Sequence, residues 1–366
     1  MASRVFSSAA QLARSTPAST TKKVFTPKGP GGRHSSTGHV ATVFGATGFL
    51  GRYLVSKLAK AGTQVVVPYR DQDEARHLKV CGDLGQEWDL KNDTQIEECL
   101  RHSDTVYNLV GRDYTTNLYR SLLPRNFSFD DVHVSGARRL ARIAHISGVS
   151  RFIHLSHLNA APDSASQFYR TKFHGEQAVK DAFPEATIVR PGWMYGHEDR
   201  LLNTIAVSPS VFRVNHGETR IAPVHVMDVA QALSIMLTAP STASSTFAFS
   251  GPQTYTFEQL LHFVEALTLQ KLSGPNFPKP ILALAARLWD LVWWPTLSPD
   301  EVTRRFIDDV QIEQGLKGFK DLGIEPDVLE DVAIVYLRRY RSSSYFDLPV
   351  ASGGIKLRSQ KYHVVE

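Results

Sequence analysis

The sequence of 366 residues is poor in three features that define large classes of protein. It has no acidic residue before Asp71, and its only cysteines are Cys81 and Cys99. No apolar run reaches the roughly 20 residues of a membrane-spanning helix, which argues against insertion into a bilayer. The cysteines lack the spacing of metal ligands, so we expect free thiols with a structural role.

The missing acidic residues leave the first 35 positions basic and rich in Ser, Thr and Ala. Their six basic residues are Arg4, Arg14, Lys22, Lys23, Lys28 and Arg33. The opening residues can form a short helix whose apolar side is made by Val5, Phe6, Ala9 and Leu12. This pattern is typical of a mitochondrial presequence, with a disordered basic tail as the alternative. Because Pro27 and several glycines follow, we assign residues 1–35 to a presequence and a flexible joint.

The net charge of the chain depends on this segment. The whole sequence has 41 basic and 36 acidic residues, but without the six basic residues of the first 35 positions the balance is 35 to 36. The remaining chain is close to neutral. It therefore lacks the basic surplus that a nucleic-acid-binding protein carries, and we expect no nucleic-acid partner.

A turn with three glycines organises the rest of the chain. It follows the strand-like stretch 39–44 and runs from Gly45 through Gly48 to Gly51, where a helix begins. Such a turn offers backbone N–H groups and the positive end of a helix dipole to a diphosphate, and glycine allows its close approach. A second strand at 64–69 favours dinucleotide binding over a purely structural turn.

Strands and helices then alternate. Further strands are predicted at 82–90, 105–111 and 151–156, with a helix around 134–147. This order predicts an α/β fold: a doubly wound parallel sheet of the Rossmann type, with the ligand at the carboxyl ends of the strands. We expect Asp89 and Leu90 to contact the adenine, and Gly111 to let the backbone approach the cofactor.

The end of the second strand separates the two nicotinamide cofactors. An acidic residue there would bind the ribose hydroxyls of NAD, but this chain has Arg70, whose planar guanidinium suits the 2′-phosphate of NADP. Asp71 follows directly, so a solvated Arg70–Asp71 pair is the alternative. We predict NADP(H).

The remaining residues predict a smaller, mainly helical C-terminal lobe. Helix starts are indicated by Thr256 with Gln259, by Ser298, and by Pro326 ahead of a helix ending near 339. We assign 36–255 to the NADP-binding domain, with 196–224 contributing to the lobe, 256–340 to the lobe and 341–366 to an extended tail. The stretch from Ile281 to Trp294 suits either a core helix or an exposed helix at a membrane surface or another subunit.

Taken together, these segments resemble the extended and atypical short-chain dehydrogenase/reductase superfamily. The resemblance rests on residues 45–51, 89–90, 108–111, Ser156, Lys172, 175–176, 190–196 and 226–230. With the turn and Arg70, it implies a set of cofactor-binding residues: Gly45, Thr47, Gly48, Phe49, Leu50, Gly51, Arg70, Asp89, Leu90, Val110, Gly111, Ser156, Lys172 and Pro191.

Active members of that superfamily use a tyrosine as general acid, four residues before the lysine, and a Ser or Thr just after the fifth strand. Here Phe168 stands four residues before Lys172. Tyr169 is displaced by one position, which on a helix turns a side chain by about 100°. His157 occupies the place of the hydroxyl residue. We therefore predict no catalytic residues and a loss of activity.

A closer resemblance is to the NADPH-binding accessory subunits of mitochondrial respiratory complex I. It rests on residues 43–53, 68–70, 82–86, 108–113, 152–160 and 181–186. It implies a non-catalytic subunit on the matrix side of the inner membrane, near the junction of the peripheral and membrane arms. Its partners would be other complex I subunits, with peripheral membrane contact through Ile281 to Trp294.

Two other functions stay open. An active NADP-dependent mitochondrial reductase or epimerase would have to use Lys172 with the displaced Tyr169. A free-standing sensor of NADPH is the third hypothesis. We predict no metal site, because His154 and His157 alternate across a strand end and have no third ligand.

Overall fold

A computed structural model describes residues 37–81, 84–114, 127–208, 213–272, 274–292, 298–311 and 315–341. The residues outside these ranges include the predicted presequence, almost all of the tail, Gly82 and Asp83 of the predicted third strand, and Trp293 with Trp294. Among the described residues, no helix is long and apolar enough to cross a membrane.

Seven parallel strands form the central sheet, in the order β3-β2-β1-β4-β5-β6-β11. They are β1 (Val40–Phe44), β2 (Gln64–Tyr69), β3 (Leu84–Glu87), β4 (Thr105–Asn108), β5 (Arg151–Leu155), β6 (Thr187–Pro191) and β11 (Thr246–Phe249). Every neighbouring pair is parallel, with registers such as Thr42 beside Val106 and Ile153 beside Thr187. The doubly wound sheet predicted from the alternating pattern is confirmed.

Short strands form small ladders beyond the main sheet. They are β7 (Met194–Tyr195), β8 (Arg213–Val214), β9 (Arg220–Ile221), β10 (Val224–His225), β12 (Tyr255–Thr256) and β13 (Asn276–Phe277). They pair as β7 with β10, β9 with β12, and β8 with β13. These ladders shape the chain after the sixth strand, where it leaves the central sheet.

The described helices carry the crossovers and the C-terminal part. They are α1 (Phe49–Lys60), α2 (Gln72–Ala75), α3 (Asp93–Leu100), α4 (Ala137–Ile146), α5 (Gln167–Ala182), α6 (Leu202–Val207), α7 (Val226–Thr238), α8 (Phe257–Thr268), α9 (Lys279–Val292), α10 (Pro299–Arg304) and α11 (Leu329–Leu337). A π-helical turn, Asp131–Gly136, precedes α4.

Both faces of the sheet are covered by apolar side chains. One cluster packs α1 and α7 against the sheet through residues such as Leu54 and Leu233, and a second packs α3 and α4 on the other side through Ile96 and Leu140. A third cluster joins α6, α8 and α11, with Leu260 at its centre. Because both faces of the sheet are buried, the strands have nearly continuous apolar sequences.

Two helix starts agree with the sequence and one does not. The capping box of Thr256 and Gln259 is present, and the Ser298 hydroxyl accepts a bond from the Glu301 N–H. The helix predicted from Pro326 begins only at Leu329. Val328 is extended and serves as the N-cap, and the preceding Asp327 N–H donates to the Asp228 carboxylate at 2.7 Å.

Candidate functional site

The glycine turn has the shape that a diphosphate needs. Gly45 has a φ of +82°, and the Gly48 N–H donates to the Gly45 carbonyl at 3.1 Å. A Cβ on Gly51 would lie 2.5 Å from that carbonyl oxygen, so only glycine allows this approach of helix to turn. The turn is closed tightly against its own backbone, which leaves its outer side available to a ligand.

The N-terminus of α1 follows this turn directly. Gly48 is its N-cap and has no side chain with which to cap the helix, and the first turn contains no acidic residue. The Thr47 carbonyl accepts a bond from the Arg52 guanidinium at 3.4 Å, and Leu50 is buried in the core. The first N–H groups and the helix dipole therefore offer positive potential to an anion.

Arg70 lies at the end of β2 and is exposed. The neighbouring Asp71 carboxylate accepts a bond from the Asp73 N–H at 2.9 Å and so caps α2. A second cation, Arg112, is near. Burial is the main cause that lowers the pKa of Arg112, and the charge of Arg70 lowers it further. The Arg112 guanidinium donates to the Tyr114 and Phe127 carbonyls at 2.8 and 2.9 Å. The group at this edge that suits a phosphate on the adenosine ribose is therefore the Arg70 guanidinium.

The ends of β3 and β4 supply the adjacent wall. Leu90 is buried, while Asp89 is exposed and its carboxylate accepts a bond from the Lys91 N–H at 2.9 Å. The Val110 N–H donates to the Asn108 side chain at 3.1 Å. A Cβ on Gly111 would lie 3.4 Å from the Lys172 ammonium, so the structure brings Gly111 and Lys172 together.

Lys172 and Ser156 lie on the far side of this wall. The Lys172 ammonium donates to the Leu155 carbonyl at 3.3 Å, and burial lowers the pKa of Lys172 to about 8. The Ser156 hydroxyl is buried and, within the described part of the chain, has no hydrogen-bond partner. A buried hydroxyl without a partner is costly, and a ribose or amide group of a bound nucleotide would satisfy it.

A polar pair behind these residues was not predicted from the sequence. Asn108 and His154 lie on neighbouring strands, and the Asn108 amide nitrogen lies 3.1 Å from His154 Nδ1. His154 Nε2 is also without a partner among the described residues. Burial lowers the pKa of His154 to about 3, so the imidazole is neutral. These groups fit a nucleotide lying across the carboxyl ends of the strands.

The position of the general acid is occupied by a phenyl ring. Phe168 and Lys172 face the same side of α5, with the Lys172 ammonium 5.8 Å from the ring centroid. Tyr169 is 1% exposed and packs with Phe129, Phe168 and Ile307. Burial raises the pKa of Tyr169, the opposite of what a catalytic tyrosine beside a lysine requires.

His157 fills the space beside these rings. Its ring centroid lies 4.8 Å from that of Tyr169, and its Nδ1 accepts a bond from the Asn159 N–H at 3.2 Å. Burial and the charge of Lys172 lower the pKa of His157 to about 3. A neutral, packed imidazole stands where a substrate-orienting hydroxyl would be.

Two further residues reach this region from the C-terminal part of the chain. The Arg304 guanidinium lies 4.6 Å from the Phe168 ring centroid and donates to the Asp113 carbonyl at 2.7 Å. The Asp309 carboxylate accepts a bond from the Trp193 N–H at 2.7 Å and is almost fully buried. No local motif marks either residue, and more than 130 positions separate them from Phe168 and Tyr169 along the chain.

The described residues contain one group of possible metal ligands, His225, Asp228 and Asp327. His225 Nδ1 lies 2.9 Å from the Asp327 carboxylate. The backbone N–H of Asp327 donates in turn to the Asp228 carboxylate. Lys57 is close enough for its charge to act on Asp228. Hydrogen bonding and a neighbouring cation account for this arrangement without a metal.

Comparisons with known proteins place this geometry in a family. The profile of the NAD dependent epimerase/dehydratase family matches residues 41–249, more than half of the chain. The mitochondrial 40 kDa subunit of NADH-ubiquinone oxidoreductase from Neurospora crassa is 47% identical over 91% of this chain and 88% of its own length. The chain belongs to this epimerase/dehydratase family and, within it, to the NADH-ubiquinone oxidoreductase subunits.

Other subunits of this family are also similar. The mitochondrial alpha subcomplex subunit 9 of NADH dehydrogenase [ubiquinone] 1 from Rattus norvegicus is 40% identical over 86% of this chain and 84% of its own. The resemblance to this family, stated above from the residues alone, is confirmed.

Among solved structures, the fold is shared with NADPH-dependent quinone oxidoreductase from Escherichia coli, complexed with NADPH. Its TM-score is 0.62 at 18% identity, covering 81% of this chain and 99% of that one. Triphenylmethane reductase from Citrobacter, complexed with NADP(H), has a TM-score of 0.60 at 16% identity, covering 82% and 99%. At these identities the likeness concerns the fold.

Proposed function

We propose that the chain is a non-catalytic accessory subunit of mitochondrial complex I that binds NADPH as a structural ligand and supports assembly. The family relationship supports the partnership with other complex I subunits, since the Neurospora relative is similar along nearly its whole length. The site geometry supports the other two parts of the proposal. It keeps a nucleotide cradle but lacks the groups for hydride chemistry on a second substrate.

One observation carries the non-catalytic part: the Lys172 ammonium faces the ring of Phe168. In an active reductase of this superfamily, the lysine lowers the pKa of a tyrosine hydroxyl, which then donates a proton to the substrate. A phenyl ring has no proton to donate. The neighbouring Tyr169 does not replace it, because its side chain is buried in an aromatic cluster.

The choice of NADPH rests on charge. Arg70 at the end of β2 provides a guanidinium group where NAD-binding members of the fold use an acidic residue. The Asp71 carboxylate is engaged in capping α2. Repulsion from a carboxylate is therefore weakened, and paired charge-assisted bonds to a 2′-phosphate are favoured.

A ligand that binds only the folded chain stabilises it. At a free NADPH concentration 100 times its dissociation constant, the gain in unfolding free energy is about 2.7 kcal/mol. That is a large fraction of the stability of an ordinary domain. The nucleotide would contact residues at the carboxyl ends of five strands, β1 to β5, and would thereby stabilise their arrangement in the sheet.

The docking surface of the proposed subunit is the outer face of α9. Ile281, Leu284 and Leu288 are 57%, 60% and 60% exposed, and together they form what we call the apolar stripe. Their spacing places them on one side of the helix. An exposed stripe of this kind suits peripheral contact with the matrix side of the inner membrane, near the junction of the two arms of complex I.

A reductase remains the second candidate, because a ceramide reductase from Caulobacter vibrioides is 30% identical over 71% of this chain. The geometry disfavours it. His157, Phe168 and Arg304 together fill the place in which a substrate carbonyl would meet a proton donor.

The test is native purification of the protein from mitochondria, followed by identification of the nucleotide released on denaturation. We expect co-migration with complex I and release of NADPH. Migration as a free protein, or release of NAD, would contradict the proposal.

A further inference from the structure

Helix α10 joins the nucleotide site to the rest of the C-terminal part. The Asp300 carboxylate accepts bonds from the Gln167 N–H at 2.7 Å and from the Ser166 hydroxyl at 2.9 Å. Ser166 is the N-cap of α5 and makes no side-chain cap bond of its own. Asp300 therefore caps, from another helix, the helix that carries Lys172.

The last residue of α10 touches the same region. Arg304 is nearly buried and lies over the Phe168 ring, the same ring that the Lys172 ammonium approaches. Both side chains are cationic, and the charges of both lower the pKa of His157. Arg304 also pairs with Asp300 of the same helix at 3.5 Å. An anionic ligand beside Lys172 would add to the negative charge that attracts the Arg304 guanidinium and would favour its position.

The other side of α10 packs against α9. Val302 is fully buried and clusters with Leu282 and Ala286 on the inner face of α9. The apolar stripe lies on the outer face of the same helix. The packing of α10 against α9 therefore contributes to where the apolar stripe is presented.

We propose that α10 transmits nucleotide occupancy to the apolar stripe: NADPH bound at Lys172 stabilises the docked position of α10 and α9. This inference rests on the proposed function and says how that function is regulated. Asp300 and Arg304 act as positioning residues. The nucleotide then does more than support the sheet, since it determines how firmly the docking surface is held.

The test is amide hydrogen exchange of residues 279–292 in the full chain, with and without saturating NADPH. Exchange reports local opening of this helix. We expect NADPH to slow it at least ~5-fold, the lower end of usual coupling between sites. The dissociation constant of NADPH is measured in parallel by titration.

Asp300→Ala removes the cap that links α10 to α5. Because coupling between two sites is reciprocal, we expect this variant to weaken NADPH binding by up to the factor by which NADPH slows exchange in the wild type. In the variant itself, NADPH no longer slows exchange of α9. The matched control is Glu301→Ala, which should keep the full effect. Among the described residues, its carboxylate pairs with Arg305, the residue that follows α10, at 2.8 Å.

Three results would overturn the coupling. They are exchange of α9 that NADPH leaves unchanged in the wild type, full protection of α9 by NADPH in Asp300→Ala, and a loss of the NADPH-dependent protection in Glu301→Ala as large as that in Asp300→Ala. Each of these leaves NADPH binding itself, and so the proposed function, intact. No NADPH binding by the wild type would overturn both. Should Asp300→Ala not fold, Asp300→Asn, with one acceptor oxygen fewer, should show a smaller loss of protection, and full protection would refute the coupling.

Discussion

Phe168 and Tyr169 show what helix geometry decides at the scale of a single residue. Four positions separate Phe168 from Lys172, and the two side chains meet on one side of α5. One position further, Tyr169 turns into a buried cluster. The spacing, read with the superfamily resemblance, predicted that Phe168 aligns with Lys172 and that Tyr169 turns away, but not that Tyr169 is buried in a cluster. The partners Arg304 and Asp309 were beyond prediction, because their contacts arise only when distant parts of the chain fold together.

Arg70 should discriminate between the two nicotinamide cofactors. A charge-assisted hydrogen bond contributes about 1.5–3 kcal/mol, so Arg70→Ala should weaken NADPH binding ~10-fold to ~150-fold and NADH binding much less. Titration of the purified protein with each nucleotide measures this. Arg76→Ala is the control, since Arg76 is exposed and pairs with Asp73. Equal losses for NADPH and NADH would rule out a 2′-phosphate role.

Asp309 should make stability depend on pH. Burial raises the pKa of Asp309 to about 7, while the carboxyl titrates near 3.9 in an unfolded chain. Protonation of Asp309 therefore favours the folded state. Its contribution to the unfolding free energy is complete below about pH 4 and is lost as the pH rises to about 7; the loss amounts to at most ~4 kcal/mol.

Asp309→Asn mimics the protonated side chain, so this variant should lose less stability than the wild type between pH 5 and 8 (on the order of 2 kcal/mol less). Denaturant unfolding at both pH values measures the difference. The neighbouring Asp308, which is half exposed and pairs with Arg220, provides the control Asp308→Asn. An identical pH dependence of wild type and Asp309→Asn would contradict this account.

At the scale of elements, local signals predicted the first five strands of the sheet in their chain order, but not β6, β11 or the ends of every element. The capping box at Thr256 was readable because all of its atoms lie within four residues. The start of α11 was not, because its N-cap Val328 makes no side-chain cap bond and the preceding Asp327 N–H contacts a carboxylate 99 positions away. The π-helical turn before α4 likewise left no mark in the apolar pattern.

The apolar stripe of α9 should be needed for docking and not for folding. Replacing Leu284 and Leu288 by Glu puts charge on its exposed face, so we expect loss of assembly into complex I, with NADPH affinity changed less than ~3-fold. Native electrophoresis of mitochondria and nucleotide titration measure the two effects. Ile146→Glu, at another exposed apolar residue, is the control and should assemble normally. Unfolding of the double variant would show that α9 belongs to the core.

At the scale of the whole molecule, the structure combines a tightly closed glycine turn ahead of α1 with aromatic packing beside Lys172. The turn was predictable, because glycine spacing and the order of strands determine it. The aromatic packing was predictable only in part. Phe168 and His157 were visible in the sequence as departures from the superfamily pattern, whereas the contribution of α10 depends on a tertiary contact. The assignment of residues 36–255 and 256–340 to separate domains stays a prediction.

The central claim is that NADPH is held without being used. The most direct measurement follows the absorbance and fluorescence of the reduced nicotinamide bound to this subunit in intact complex I, while the complex oxidises NADH and after carbonyl or quinone compounds are added. We predict that the bound NADPH stays reduced and bound throughout. Oxidation of that NADPH at enzymatic rates, by the complex or by the isolated subunit, would contradict the claim.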